Sequence, residues 1–254
     1  MNINKLATVI NPLQLSLHLF DEIPSTNQTL WELLDGGLKP PLVAIATQQT
    51  AGRGQWGRQW QSELGGLYLS LGLAPNIPAT NTAHLTLVSA WGIATALRSH
   101  HLPVLLKWPN DLILEGRKLG GIKSETRVQQ GQIVQAAIGV GINWANPVPE
   151  KGINLQSFLK NQPIPPVSSL EQLAAITIHG LLSGWQHYLS EGMESLLPSY
   201  LELLDSFGRA VTVNGCPGVV VGVTSIGDLR VRLQSVGASA EICLPPGAVS
   251  LGYD

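Results

Sequence analysis

The chain has 254 residues and a mass of 27.1 kDa, enough for one large domain, or for a large domain and a small one. Hydrophobic residues make up 44% and charged residues only 13%, with 27 glycines and 17 prolines. This is a globular composition with many turns, and it excludes a disordered chain. The formal net charge is −2, so no excess of cations is available to bind nucleic acid through its phosphates.

The cysteines and the hydropathy pattern predict where the protein resides. Cys216 and Cys243 have neither metal-ligand nor redox spacing, and we expect both to be buried residues in a reducing cytosol. No apolar run reaches the ~18 residues of a membrane-spanning helix, and residues 1–12 lack the pattern of a signal peptide. The sequence therefore predicts a cytoplasmic protein with no membrane partner.

The first part of the chain alternates strand and helix patterns. Strands are predicted for residues 15–23, 41–47 and 67–73. A helix with the potential caps Ser25 and Thr26 follows the first strand and stops at Gly36. Residues 48–66, rich in glycine and arginine, read as a long loop. A loop of that length inside a compact domain is usually functional.

The rest of the chain predicts a sheet, then helices, then a small β unit. A helix is predicted for residues 82–99, and residues 104–140 carry strands broken at Pro109, at Glu115 and near Gln130. Helices follow from residue 168 to about 191 and from 193 to about 207. Short strands at residues 211–252 indicate a small β-barrel or sandwich. We place the domain boundary near Gly208, giving a domain of residues 1–207 and a C-terminal domain of residues 208–254.

The sequence Gly52-Arg53-Gly54-Gln55-Trp56-Gly57 matches the G-x-G-x-x-G pattern of dinucleotide sites. Such a site should open a helix and place an acidic residue about 20 positions later, yet no Asp or Glu lies between Glu63 and Asp111. Hydride transfer is therefore disfavoured. The segment still combines a flexible backbone with the guanidinium groups of Arg53 and Arg58, and this combination suits an anionic ligand. No G-x-x-x-x-G-K-[ST] occurs, so ATP would not bind through a P-loop.

A second cluster of cations lies in the middle of the chain. It comprises Lys107-Trp108-Pro109-Asn110-Asp111 and Arg117-Lys118-Leu119-Gly120-Gly121-Ile122-Lys123. Because Glu115-Gly116 predicts a turn, a hairpin would bring Lys118 close to Asp111, and the paired glycines leave room for a ligand against the backbone. The ordinary alternatives are turn chemistry for Asn110 and Asp111 and a surface position for Lys118.

The remaining polar residues carry weaker signals. The six histidines show no H-E-x-x-H or comparable arrangement, so a zinc site is not indicated. The sequence Gly139-Val140-Gly141-Ile142-Asn143 ends a strand in small residues, which favours a bulge or a place where a flat ring meets the backbone. Ser25 and Thr26 are helix caps by default, although a hydroxyl at a helix start can also bind a polar ligand.

Six motifs in order resemble those of the biotin protein ligases. They are Ser25-Thr26-Asn27, Gln49-Thr50-Ala51-Gly52-Arg53-Gly54, Gly57-Arg58 with Trp60, Lys107-Trp108-Pro109-Asn110-Asp111, Lys118-Leu119-Gly120-Gly121-Ile122, and Gly139 to Asn143. The likeness extends from about Leu15 to the C-terminus. It implies an α+β fold, with helices packed on a mixed, mainly antiparallel sheet and a small β-barrel at the end. The short segment before the first strand leads us to expect the monofunctional type, without a DNA-binding domain.

The resemblance implies a reaction in two steps and a set of site residues. Biotin and Mg²⁺-ATP give biotinyl-5′-AMP, and a lysine of the biotin carboxyl carrier domain of a carboxylase, such as acetyl-CoA carboxylase, then takes the biotinyl group. Catalytic roles are implied for Lys118, Arg53 and Asp111. Biotin-binding roles are implied for Ser25, Thr26, Asn27, Gln49, Arg53, Gly54, Gln55, Lys118, Gly120 and Gly121. ATP- or adenylate-binding roles are implied for Arg53, Arg58, Lys107, Asn110, Lys118 and Asn143. No motif marks a metal site directly, and Asp111 is a candidate for orienting Mg²⁺.

One residue departs from the family pattern. Relatives commonly have Arg where this chain has Gln55, which keeps hydrogen bonding but loses the charge. Our hypothesis is that the enzyme releases biotinyl-AMP more readily than a Gln55→Arg variant would.

Two other functions remain open at this stage. A lipoate or octanoate ligase or transferase shares the fold and the acyl-transfer logic. A non-catalytic module could use the same pocket to sense a metabolite. The edge of the sheet could also pair two copies into a homodimer.

Overall fold

The computed structural model describes residues 15–160, 162–235, 238–249 and 251–252. The first sheet contains β1 (Ser16–Ile23), β2 (Leu42–Gln49), β3 (Leu67–Leu73), β4 (Ile77–Pro78), β5 (Leu105–Lys107), β6 (Asp111–Leu114), β7 (Arg117–Gln129) and β8 (Gln132–Ile142). The helices are α1 (Thr26–Asp35), α2 (Thr82–Ser99), α3 (Leu155–Leu159) and α4 (Leu170–Glu202). A second sheet contains β9 (Ala210–Val213), β10 (Cys216–Val223), β11 (Leu229–Ser235) and β12 (Ala238–Leu244).

The first sheet has the strand order β1-β2-β3-β8-β7-β6-β5, with β4 paired to β8. The pair β1 and β2 is parallel, whereas the other pairs are antiparallel. The predicted α+β fold with a mixed, mainly antiparallel sheet is therefore confirmed. Among the described strands, β1 and the half of β7 beyond Gly121 have a partner on one side only. A homodimer through such an edge stays a prediction.

The two faces of the first sheet are covered differently. On β3, Leu67, Leu69 and Leu71 join the main core, which also contains the buried side chains of α2 and α4. Ser70 and Gly72 point the other way, because side chains alternate along a strand, and that face is packed against Leu30 of α1. Since α1 is only ten residues long, it leaves part of this face open, and the site described below lies there.

The second sheet is antiparallel, with the order β12-β11-β10-β9. The predicted small C-terminal β unit is therefore confirmed as a separate sheet, but among the described strands β9 and β12 do not pair, so the sheet is not closed into the predicted barrel. The indole N–H of Trp108 donates to Gly227 O at 2.9 Å, and His84 Nε2 lies 2.6 Å from Ser225 O. Burial lowers the pKa of His84, so the ring favours its neutral form. These contacts join the second sheet to the first part of the chain.

The structure corrects the sequence predictions in three places. Cys216 and Cys243 are exposed rather than buried, because both lie at surface positions of the second sheet, on β10 and β12. The two predicted helices meet at Gly192, where φ is 79°, and the second ends at Glu202 rather than near Phe207. The connection after Asn146 contains the short helix α3, which the sequence analysis missed. The domain boundary near Gly208 falls between α4 and β9 and stays a prediction.

Candidate active site

The open part of the sheet face contains a cavity of about 130 Å³. It is bounded by the start of α1, the end of β2, the glycine-rich segment after β2, and strands β7 and β8. Most of the residues predicted for the site line it together: Ser25, Thr26, Asn27, Gln49, Arg53, Gly54, Gln55, Arg58, Asn110, Asp111, Lys118 and Gly121. The predicted meeting of Arg53 with Lys118 in one cleft, from segments 65 residues apart in the chain, is therefore present.

One wall of the cavity is uncharged and internally hydrogen-bonded. Thr26 N donates to Gln49 Oε1 at 2.7 Å, and Gln49 Nε2 donates to Ser62 Oγ at 2.8 Å. The hydroxyl of Ser70, on β3, lies 2.8 Å from Thr26 Oγ1 and 2.6 Å from Asn27 Oδ1. Thr26, Asn27 and Ser70 are all buried. Because buried polar groups that are fully bonded are held rigidly, this wall is preorganised.

Ser25 sits at the N-cap of α1 without acting as a cap. Its backbone is extended, but its side chain makes no capping hydrogen bond. The residue is 3% exposed and borders the cavity. The default interpretation as a helix cap therefore does not hold for Ser25, and its hydroxyl is available to the cavity.

The opposite side of the cavity carries an ion pair. Lys118 Nζ lies 2.6 Å from Asp111 Oδ1 and 5.4 Å from the centre of the Trp60 ring. The pair forms because β6 and β7 make the predicted hairpin, with positive φ at both Glu115 and Gly116 as a tight turn requires. Asp111 thus fixes the position of the ammonium, and the face of Trp60 adds a cation–π contact.

Glycines on β8 let other groups approach the floor of the cavity. A Cβ added to Gly141 would lie 2.4 Å from Trp60 Nε1, and one added to Gly139 would lie 2.5 Å from Asn27 Oδ1. Both distances are too short for a real side chain. Of the two alternatives that the sequence left open here, a bulge or a flat ring against the backbone, the structure shows a flat ring, the indole of Trp60.

The glycine-rich segment folds into a small hairpin of residues 52–60, called the glycine-rich hairpin below. Gly54 N donates to Arg58 O at 2.7 Å, and Trp60 N donates to Gly52 O at 2.9 Å. Its side chains reach across the cavity mouth: Gln55 Nε2 donates to Ile122 O at 3.3 Å, and Arg53 Nη2 donates to Gln28 Oε1 at 3.4 Å. The hairpin therefore covers the cavity with guanidinium and amide groups.

Three predicted site residues lie outside this cavity. Gly120 packs against Gly141 O within the sheet. Lys107 is buried, its ammonium contacts Gly252 O, and burial lowers its pKa to about 8 despite the nearby charge of Asp111. Asn143 lines a second cavity of about 360 Å³, which adjoins the first because Gln59, Trp60 and Lys118 border both.

Two residues behind the uncharged wall were not singled out from the sequence. Ser70 and Ser62 hydrogen-bond to Asn27 and Gln49, which line the cavity. Lys123, from the second cluster of cations, also lines the cavity, and its Nζ lies 3.1 Å from Glu125 Oε1. For Ser70 the sequence did offer a signal of a special role, because its hydroxyl lies within an otherwise apolar strand pattern.

Comparison with known proteins agrees with this fold. Residues 19–143 match the model of the biotin/lipoate A/B protein ligase family. The chain is 30% identical over 228 residues to the bifunctional ligase/repressor BirA of Bacillus spizizenii, covering 84% of this chain and 68% of that protein. The chain therefore belongs to the biotin/lipoate A/B protein ligase family.

Other relatives show which members of that family the chain is similar to. The chain is 36% identical over 194 residues to BirA of Escherichia coli, covering 76% of this chain but only 60% of that protein. It is 34% identical over 131 residues to the biotin–[acetyl-CoA-carboxylase] ligase of Paracoccus denitrificans, covering 50% and 54%. The solved Aquifex aeolicus biotin protein ligase in complex with biotin and ATP shares the fold, with a TM-score of 0.74 at 22% identity over 92% of this chain and 97% of that one.

Proposed function

We propose that this protein is a biotin protein ligase. It activates biotin with ATP to biotinyl-5′-AMP and pyrophosphate, and then transfers the biotinyl group to a lysine of a biotin carboxyl carrier domain. The observation that carries the proposal is the arrangement of groups in one cavity. An uncharged, hydrogen-bonding wall faces the ammonium of Lys118 and the guanidinium of Arg53. Such a cavity suits a neutral polar ring with an acidic tail.

The two walls orient biotin. The hydroxyls of Ser25 and Thr26 and the amide of Gln49 offer donors and acceptors for the ureido group, while Asn27 and Ser70 hold them in place. Arg53 meets the carboxylate and Lys118 approaches it from the strand side, while Gly54, whose N–H donates to Arg58 O, borders the same space. A carboxylate between two cations is held where it can attack.

The first step is nucleophilic attack by the carboxylate on the α-phosphorus of ATP. An oxygen–phosphorus bond forms as the bond to pyrophosphate breaks, and negative charge accumulates between the two anions. Lys118 stabilises that charge, and its pairing with Asp111 fixes the ammonium in advance, so little reorganisation is needed.

ATP occupies the second cavity. Its lining combines the amides of Asn143 and Asn146 with Pro147 and Pro149, a mixture that suits a nucleoside. Because Lys118 borders both cavities, the α-phosphate would lie at their junction, within reach of Arg58 and Asn110 at the mouth.

Magnesium would arrive with the nucleotide. The described residues contain no cluster of three or more potential His, Cys, Asp or Glu ligands. This fits Mg²⁺ held by one carboxylate together with phosphate oxygens, and Asp111 is the carboxylate that lines the cavity. The ion supplies charge neutralisation on the phosphates.

In the second step the amine of a carrier lysine attacks the acyl carbon, an amide bond forms and AMP leaves. The partner is the carrier domain of a carboxylase, an inference supported by the relatives named as acetyl-CoA-carboxylase ligases. Consumption of ATP supports a cytoplasmic location. The described helices include none long and apolar enough to cross a membrane.

The proposal is tested by mixing the protein with ATP, Mg²⁺ and either biotin, lipoate or octanoate. Pyrophosphate release and an acyl-AMP product with biotin alone would support it. Activity with lipoate or octanoate instead would assign the related ligase chemistry. Binding of biotin without pyrophosphate release would indicate a non-catalytic sensor and would refute the proposal.

A further inference from the structure

The glycine-rich hairpin ends in a tight turn with an unusual residue in it. Arg58 N donates to Gln55 O at 3.1 Å, and between them Trp56 and Gly57 have φ of 51° and 74°. Positive φ at both central residues defines a type I′ turn, which strongly favours asparagine, aspartate or glycine. Tryptophan is poorly suited to the first of these positions, so a contact outside the turn must offset its cost.

That contact is with a turn at the end of the second sheet. Ala248 N donates to Pro245 O at 3.1 Å, and Gly247 within this turn has φ of 95°. A Cβ added to Gly247 would lie 2.6 Å from Nε1 and 3.0 Å from Cε2 of Trp56. The indole therefore rests on the glycine backbone, and a side chain at position 247 would displace it.

The sheet that carries Gly247 is itself fixed to the first part of the chain. Trp108 donates to Gly227 O and His84 contacts Ser225 O, both on the β10–β11 turn. The Lys107 ammonium contacts the carbonyl of Gly252, five residues after Gly247. With attachments at the β10–β11 turn and at Gly252, beyond the end of β12, this part of the chain offers a fixed surface against which the hairpin tip can dock.

We infer that Trp56 is a positioning residue that docks the glycine-rich hairpin onto the Pro245-Pro246-Gly247 turn. The docked tip holds Gln55 against β7 and Arg53 against α1, where both side chains face the cavity. The C-terminal sheet thereby sets how tightly the hairpin covers the ligand. The consequence for catalysis rests on the proposed function: docking slows escape of the acyl-adenylate and keeps water from it.

The test is a set of four single variants and the double variant Trp56→Asn/Gly247→Ala, followed by three measurements. Trp56→Asn supplies a residue that favours the turn but removes the indole, Trp56→Phe retains an aromatic ring, and Gly247→Ala obstructs the docking surface. Gly215→Ala is the matched control, because Gly215 has a similar φ of 80° on the same sheet but nothing within 4 Å of an added Cβ. The measurements are the rate of tryptic cleavage after Arg53 and Arg58 in the folded protein, the rate of biotinyl-AMP release, and KM and kcat for biotin.

We expect Trp56→Asn and Gly247→Ala to accelerate cleavage within the hairpin by roughly fivefold to tenfold, the scale of a lost aromatic contact. Release of biotinyl-AMP should accelerate in parallel, and KM for biotin should rise more than kcat falls. Trp56→Phe should restore most of the protection. The double variant should be no worse than either single variant, because both remove the same contact.

Unchanged cleavage in Trp56→Asn, additive effects in the double variant, or an equal effect of Gly215→Ala would overturn the inference. Cleavage is measured without substrates, so it tests docking even if the protein forms no biotinyl-AMP. Failure of the proposed function would show as absent adenylate in the wild type, whereas failure of docking would show as unaltered cleavage in the variants.

Discussion

The uncharged wall and the glycine-rich hairpin face each other across one cavity but are built in different ways. Thr26, Asn27 and Ser70 are buried and hydrogen-bonded to one another. Arg53 and Arg58 are exposed on the glycine-rich hairpin, which reaches other elements through the side chains of Arg53, Gln55 and Trp56. The rigid wall suits a neutral group that is the same before and after reaction. The hairpin suits a charged group that forms and leaves during each turnover.

The largest expected effect is on the charged side. Lys118→Ala should lower the rate of pyrophosphate release from biotin and ATP by about 100-fold or more, because the negative charge of the transition state is no longer stabilised by the ammonium group. Lys160→Ala is the control, because Lys160 is an exposed lysine at the C-terminal end of α3 and does not line either cavity. Wild-type turnover in Lys118→Ala would remove Lys118 from the mechanism.

A smaller effect is expected on the uncharged wall. Ser70→Ala should weaken biotin binding by about tenfold, since Asn27 and Thr26 lose a buried partner, while kcat changes little. Isothermal titration with biotin measures this. Ser89→Ala is the control, because Ser89 is also buried and hydrogen-bonded but lies on α2. A fall in kcat with unchanged biotin affinity would contradict the division between the two walls.

Adenylation and biotin binding should also differ in their dependence on pH, because Lys107 lies outside the cavity proposed for biotin. The pKa of Lys107 is lowered to about 8 by burial, so this ammonium is charged at neutral pH and loses its charge as the pH rises through that value. We expect the adenylation rate to fall by about eightfold between pH 7.5 and 9, in proportion to the charged fraction of Lys107, while biotin affinity stays constant. Lys107→Met should lack this decline, and an identical pH profile in that variant would exclude Lys107 as its source.

The smallest expected change concerns the hairpin residue that departs from the family pattern. Gln55→Arg should slow release of biotinyl-AMP by roughly fivefold, because a guanidinium adds a charge-assisted hydrogen bond to the adenylate. Gln55→Glu keeps the shape of the wild-type side chain but carries a negative charge, opposite to that of arginine. This variant should accelerate release. Equal release rates in all three proteins would end the hypothesis.

Local patterns predicted most of the fold. The helix at Thr82–Ser99 and the hairpin at Glu115-Gly116 follow from residue spacing and turn chemistry within a few positions. The exposure of Cys216 and Cys243 was predicted wrongly, because burial depends on which strands pack on one another rather than on residue type alone.

The site residues that belong to motifs could be predicted from the sequence, whereas supporting contacts between residues far apart in the chain could not. Arg53, Asp111 and Lys118 stand in recognisable motifs, and the structure brings them together. Ser70 completes the uncharged wall through a hydrogen bond to Asn27, 43 residues away in the chain. Trp56 meets Gly247 across a still longer separation. No spacing rule links such pairs, since only the packed sheet places them in contact.

The most direct test of the account is ATP-dependent transfer of labelled biotin to a purified carrier domain, with wild-type protein and with Lys118→Ala. The account predicts stable label on the acceptor lysine with wild-type protein, dependence on ATP and Mg²⁺, and a loss of about 100-fold in the variant. Absence of label with wild-type protein, or equal labelling by the variant, would contradict it.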